Sequence, residues 1–430
     1  PKNTLSAIKG VESIIKYLED IILYITGRKM DFKSLSHLND TINILSGNLL
    51  PMNSDKTKTP TILKIYSILV WLIGIVYLSV CIRGIFHVSK EKALQNSTVN
   101  IIVSLEIVLL LVYLHSRKNL LRGLIEKLNC LLKVDNDTLR NEVIKTVKPL
   151  EKPLKIYVMG AVSSVVIWTA MPLVKVFQKN EFYYEDYSLP ATLSKEPFPT
   201  SIFVAGVFLQ MLGGGYTIFK KTSLDIYTVH LILLLTAQYR YLKLEFAKIL
   251  RGSEKSYIIY NIKSFLINFR IAVMLRKLLS INVGLLYVNN VFRFCFLGYM
   301  IITVSFALDS VTSRCLVLMY TIGAVVQLYV LCYCIQQLFE STKLTDDAFH
   351  EKWYDYSIEI QHLLSKMILA NKLQCKLSSY RNVDLTLSSF MSVRQSKSFL
   401  FLWIIRCHTS CHIFCAKDVY KYFLHASSLI

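Results

Sequence analysis

ILKIYSILVWLIGIVYLSVCI, residues 62–82, is long enough as a helix to cross the apolar core of a bilayer, which takes roughly 20 residues. Comparable runs recur at 99–115, 154–177, 201–235, 281–307 and 315–338, and a weaker one at about 385–405. The chain has 430 residues, is 53% hydrophobic and 18% charged, and has a mean hydropathy of +0.43. A soluble domain of this length is rarely so apolar. Backbone groups inside a bilayer need internal partners, and runs of this length satisfy them as helices, because barrel strands are shorter and alternate. An all-α membrane protein with seven transmembrane helices is the expected architecture. The 201–235 run is broken by Lys220, Lys221 and Asp225 and exceeds one bilayer, so it is expected to leave the membrane and continue into water.

The formal net charge is +20, and the basic residues are gathered in particular loops. Stretches 116–153 and 237–280 carry nine Lys/Arg each, against two each in 84–98 and 178–200. The positive-inside rule accounts for this asymmetry, so the charge does not call for nucleic acid. It predicts a cytoplasmic N-terminus and, with seven spans, an external C-terminus, the reverse of a G-protein-coupled receptor. The sequon Asn96-Ser97-Thr98 then falls outside, close to the membrane edge, and those at Asn39 and Asn136 fall inside. Most of the ten cysteines lie in or beside apolar runs, where free thiols behave as small hydrophobes, and no disulfide framework is expected. The chain opens on Pro1 without a secretory signal pattern, as a trimmed start would.

Residues 1–61 read as a cytoplasmic N-terminal segment and 62–338 as six spans with their loops. Residues 339–384 read as a cytoplasmic helix and linker, 385–406 as a pore helix and 407–430 as an atypical external tail. No repeat of 20–50 residues and no inverted repeat is evident, which weighs against a transporter. Between 237 and 280 the pattern is basic and amphipathic, as in YRYLKLEFAKIL and IKSFLINFRIAVMLRKLL. These helices extend adjacent spans, or pack with 340–373 as an oligomer core; calmodulin or anionic lipid binding is a non-specific signal here.

The stretch CYCIQQLFESTKLTDDAFHEKWYDYSIEIQHLLSKMILANKLQCKLSSYRNVDLTLSSF, residues 332–390, resembles the C-terminal signature of insect odorant receptors. The matching positions are Glu340-Ser341, Ala348-Phe349, Trp353-Tyr354, the helix 355–373, and Leu385, Leu387 and Phe390. LPATLSKEPFP (Leu189 to Pro199) resembles the family's proline-bearing second outer loop. SLDIYTVHLILLLTAQYRYL resembles the cytoplasmic half of its fourth helix through Asp225, His230 and Gln238. The resemblance covers roughly residues 60 to 400. It implies a subunit of an odorant-gated, non-selective cation channel in the plasma membrane, with the last helix lining a pore at a tetramer axis. Its partners would be an odorant co-receptor in a heterotetramer, a small volatile ligand and membrane lipid. The 237–280 connection has no room for the long insertion of the co-receptor, so the chain resembles a tuning subunit. A glycine that the family often has before Glu340-Ser341 is absent, with Cys334 nearby, and residues 407–430 look appended.

The resemblance also implies a ligand pocket in the outer half of the bundle, among spans two, three, four and six. Trp168, Met171, Phe203, Phe208, Gln210, Met211, Met319 and Tyr320 suit such a pocket by depth and type, although lipid contact or core packing accounts for any one of them as well. Val393, Gln395, Ser396 and Phe399 are the pore candidates. Arg394 and Lys397 beside them either border the conduction path or mark a defective end, and basic groups would repel permeating cations. Trp353, Tyr354, Leu363 and Leu364 are the subunit-assembly candidates, with the preceding acidic residues placed to suit the start of a helix. Gly213-Gly214-Gly215 either loosens the fourth helix or allows a close helix crossing. Glu106, Asp225 and His230 are ionisable groups inside apolar runs, the last two read as cytoplasmic-side packing. Cys407, His408, Cys411, His412 and Cys415 lack zinc-site spacing, so no metal is expected and no cofactor either. Nothing in the chain reads as an enzyme site. A gustatory receptor of related architecture, or a non-conducting receptor or scaffold with a defective last helix, are the alternative functions.

Overall fold

The computed structural model describes residues 32–33, 35–52, 60–132, 137–250 and 311–341, together with isolated positions at 271–293 and 358–384. The seven long elements are α1 (His37–Leu45), α2 (Thr61–Ile85), α3 (Lys90–Ser116), α4 (Lys118–Leu132), α5 (Asp137–Ala170), α6 (Thr200–Leu250) and α7 (Val311–Ser341). The described residues also form two short antiparallel ladders: β1 (Glu181–Phe182) with β2 (Phe198–Pro199), and β3 (Ser378–Ser379) with β4 (Val383–Asp384). Most expected spans lie within these helices; 281–307 and 385–405 fall mainly or wholly outside the described residues.

Among the described residues, the helices Thr61–Ile85, Asp137–Phe177, Thr200–Leu244 and Thr321–Ser341 are long and apolar enough to cross a membrane. A fifth candidate is bent: Asn100–Ser116 and Lys118–Cys130 meet at 72°. Along α2, Ile62, Ile65, Ile68, Leu69, Leu72 and Ile75 are all exposed, a continuous apolar surface that water would penalise and hydrocarbon would not.

The basic stretch 116–153 is more than a loop. Its α4 buries Leu121, Leu124, Ile125, Leu128 and Leu132, the spacing of one helical face, and leaves the opposite face polar. Two prolines, Pro149 and Pro153, sit inside α5. Each removes a backbone donor, a loss that neighbouring helices make tolerable in membrane proteins.

At 51 residues, α6 is about 77 Å long. Beyond Lys220 and Lys221 this helix is enclosed by protein rather than standing free. From Leu224 to Leu242 nearly every residue is buried, Ile226, Ile232, Ala237 and Tyr239 completely. This half of α6 is apolar all round because α1, α4, α5 and α7 surround it in one core, with Ile271, Leu275 and Leu278.

The described part of the N-terminal segment is pinned to that core. Ser36 caps α1 by accepting from the Asn39 amide at 3.2 Å. Asn43 exchanges two 2.9 Å hydrogen bonds with the Leu50 backbone. Gly47, at φ +68°, turns the chain so tightly against Val70 and Ser67 that a side chain would be strained there. Tyr227 donates to the Pro51 carbonyl at 2.6 Å, and the Phe32 amide donates to Asn129 at 2.8 Å.

Candidate functional sites on the central helix

The first half of α6 lies under the 178–200 loop. Phe203 stacks on Phe182 with centroids 4.1 Å apart and on Tyr187 at 4.9 Å; Tyr187 also stacks on Phe198 at 5.7 Å. With Tyr184, Ala191 and Val207 these rings form a separate buried cluster at one end of the bundle. Close approach is built in. A Cβ on Gly206 would fall 2.2 Å from the Tyr187 hydroxyl, and one on Gly84 would fall 2.2 Å from the Pro190 carbonyl oxygen.

Charge holds the loop together. Asp186 takes Lys175 at 3.2 Å and Lys179 at 2.5 Å, and accepts from the Tyr183 amide at 2.9 Å. Burial pushes its carboxyl up, but these three partners outweigh burial and hold it below the usual carboxylate range. Burial pushes the Tyr187 phenol above its ordinary value. Two hydrogen bonds fasten the loop to the helices: Ser188 Oγ to the Trp168 carbonyl at 2.6 Å, and Gln210 Nε2 to the Leu189 carbonyl at 2.7 Å.

Six of the eight sequence-derived ligand candidates have described side chains. Phe203 is wholly buried in the loop cluster, with Met211 packed against its edge. Trp168 packs on Tyr77, Cys81 and Leu189, and Gln210 is 1% exposed and tied to Leu189. Met171 is half-buried at the start of the 3-10 turn Met171–Phe177. Phe208 is 54% exposed, on the face of α6 away from the loop cluster. Met319 and Tyr320 lie on α7, with side chains outside the described residues. The pore candidates Val393, Gln395, Ser396 and Phe399 and the assembly candidates Trp353, Tyr354, Leu363 and Leu364 lie outside the described residues.

At the triple glycine, Tyr77 occupies the space that a Cβ on Gly213 would need, with ring atoms 2.3 Å away. Gly214 meets Val165 at 3.1 Å and Gly215 faces open space. Close crossing by α2 and α5 therefore accounts for the first two glycines.

Below this crossing lies a constellation that reading residues one at a time does not assemble. Lys221 pairs with Glu106 of α3 and, at 3.2 Å, with Asp225 one turn along α6. Tyr157 of α5 donates to Asp225 at 2.9 Å, and Asn289 donates to Glu106. Arg293 reaches Gln327 of α7 at 2.9 Å. Two carboxylates and two cations so balance across five segments of the chain. Side chains of Lys221 and Glu106 are each 2% exposed, so the pair is removed from water. Lys220 follows another route, its ammonium 3.7 Å from the centre of the Trp71 ring. Beside the cluster is a cavity with about 20 Å³ open to a water centre, lined by Tyr157, Asp225, Thr228, Gln327 and apolar neighbours. That is room for a water, not for an odorant. His230, on the same helix, is buried with its ring 2.9 Å from the Ile226 carbonyl, a packing role. Among the described residues no group of three or more His, Cys, Asp or Glu is placed to hold a metal.

A multi-pass helical membrane protein, with a loop-capped aromatic end and a neutral charge cluster in its bundle, is the class these features define. The family model for the 7tm odorant receptor matches residues 90–397, and the chain belongs to that family, which is one of receptors and not of enzymes. Among solved structures the chain is similar to the insect olfactory receptor OR5 from Machilis hrabei, at 16% identity and a TM-score of 0.69, covering 85% of this chain and 96% of that one. The same receptor in complex with eugenol matches at 16% identity and a TM-score of 0.70, covering 88% and 100%. These likenesses establish the all-α membrane fold. A comparison with curated proteins finds no match.

Proposed function

We propose that this chain is the tuning subunit of an odorant-gated cation channel in the plasma membrane, with a cytoplasmic N-terminus. A small volatile binds near the loop-capped end of α6, and the chain opens together with a co-receptor in a tetramer. The family match over residues 90–397 carries the reading, and the eugenol complex of the similar Machilis hrabei receptor supports a small volatile as the class of ligand. The basic stretches 116–153 and 237–280 support the orientation. Residues 385–405 would line the pore through Val393, Gln395, Ser396 and Phe399, and the helix 355–373 would join subunits beneath it through Leu363 and Leu364, with Trp353 and Tyr354 at its start.

A ligand opens such a channel only to the extent that it binds the open state more tightly than the closed one. Co-expression with a co-receptor, under current recording and with a broad panel of volatiles, tests the proposal. Current evoked by a subset of volatiles, and only when both chains are present, is the expected result. A pair that reaches the surface and conducts for no volatile would sink it.

A further inference from the structure

We propose that Gln210 selects ligands that carry a hydroxyl donor, an alcohol or a phenol on a small apolar body, by accepting that hydrogen bond at Oε1. The inference rests on the reading of the chain as a receptor for volatiles and narrows the class of ligand.

A primary amide in a membrane-spanning helix has four hydrogen-bonding valences to satisfy without water, and an unmatched half is costly. Gln210 is 1% exposed. Its orientation is fixed by chemistry: the Leu189 carbonyl only accepts, so the NH2 of Gln210 must face it, at 2.7 Å. The carbonyl half of the amide is then left over, and Oε1 is buried with no partner. Of the neighbouring donors, the Tyr77 hydroxyl is engaged with Asn100 Oδ1 at 3.1 Å and Ser188 Oγ with the Trp168 carbonyl at 2.6 Å. What remains is a lone acceptor where α2, α5, α6 and the loop meet.

The surroundings define the rest of the ligand. Leu189 packs with Tyr77, Cys81 and Trp168, an apolar and aromatic set that suits a hydrocarbon chain or ring. Met211, next to Gln210 in sequence, is half-buried against the Phe203 cluster, and methionine repacks easily around an entering group. A ketone, ester or ether of the same shape offers only acceptors, so it would bury its own oxygen against Oε1 and leave both unpaired. The hydroxyl member gains a buried hydrogen bond that its analogue without a donor cannot make.

The test uses matched pairs, an alkanol or phenol against its methyl ether. Purified full-length protein in lipid nanodiscs reports binding by the shift of its melting temperature with each compound. The co-expressed channel reports half-maximal concentrations. The expected result is binding of the hydroxyl member at about tenfold lower concentration, the discrimination one buried hydrogen bond supplies. Gln210→Met, close in shape, removes the acceptor together with the bond to Leu189 and should abolish the preference; binding of the ether that persists, even at a higher concentration, shows that the variant folds. Equal binding of both members, binding of neither, or a preference that survives Gln210→Met overturns the inference. Hydroxyl-selective binding without current would instead count against the channel proposal and leave this inference standing.

Discussion

Lys221 is the hub of the buried charge cluster, and removing it tests whether the cluster holds the bundle together. In Lys221→Met the chain keeps Glu106 and Asp225 but loses the cation between them, so one negative charge is left unbalanced in a region sealed from water. Breaking a buried ion pair in this way costs about 3–5 kcal/mol. For 430 residues the entropy of unfolding near the midpoint is about 0.9 kcal/mol per kelvin, which converts the cost to a fall of about 3–5 °C in Tm. Glu106→Gln alone leaves a net positive charge and should cost a similar amount, although Gln can still accept from Asn289. The double variant restores neutrality through Asp225 and Arg293, and its Tm should return to within about 2 °C of wild type, because removing both members of a buried pair is often nearly neutral. Fluorescence-detected gel filtration of detergent-solubilised protein, heated in steps, measures all four corners of the cycle. Single variants that melt within 1 °C of wild type, or a double variant that shows the sum of the two losses, would refute the reasoning.

Two further perturbations separate other parts of the bundle. Gly213→Ala drives a methyl into the Tyr77 ring, 2.3 Å away, and should cost about 1–3 kcal/mol, seen as reduced surface expression and a lower Tm. Gly215→Ala meets nothing within 4 Å and should be neutral or stabilising by up to about 1 kcal/mol in the same assay. Asp186 has its carboxyl lowered in the folded loop, so its contribution is present above the ordinary carboxylate value of about 3.9 and is lost as pH falls through the lower folded value. Trp168, whose carbonyl the loop's Ser188 holds, should change its fluorescence over that acid range. Asp186→Asn should remove the transition and loosen the loop at neutral pH, and an identical acid profile in the two proteins would show that Asp186 is not the titrating group.

Legibility in the sequence followed the range over which each signal acts. Runs such as 62–82 and 315–338 declare themselves locally, since bilayer thickness alone sets their length. The apolar face of α4 was equally local, yet nine basic residues in 116–153 drew the reading towards a loop; charge reports the side of the membrane and not the secondary structure. The partners of Lys220 and Lys221 are hidden for a related reason. Lysine in an apolar run is ambiguous between an exit into water and an internal pair, and only the partner decides. Glu106 lies 115 positions from Lys221, so no window on the sequence contains both. Opposite charges in two different apolar runs are the available signal, since each needs an internal partner. The loop cap was legible only as composition, its aromatic rings and prolines, because stacking of Phe182 on Phe203 depends on a chain reversal through the β1–β2 ladder.

The lone acceptor at Gln210 and the charge hub at Lys221 lie on one helix, 11 residues or about 16 Å apart. Between them are Gly213 and Gly214, filled by Tyr77 and Val165 from two other spans. A tilt of α6 that makes room beside Gln210 must therefore move against those side chains and carry Lys221 relative to Glu106 on α3. The ion pair is buried, so separating it is costly unless replacement partners are in reach. Asp225, one turn below, already provides one at 3.2 Å. Lys221 thus has two carboxylates on different elements, which is the form of a two-position latch: one partner travels with α6 and the other stays behind. If the helix moves on ligand binding, Glu106→Gln should ease opening and lower the half-maximal ligand concentration, whereas Asp225→Asn should raise it. A pair of variants that shift in the same direction would mean that the cluster only holds the fold.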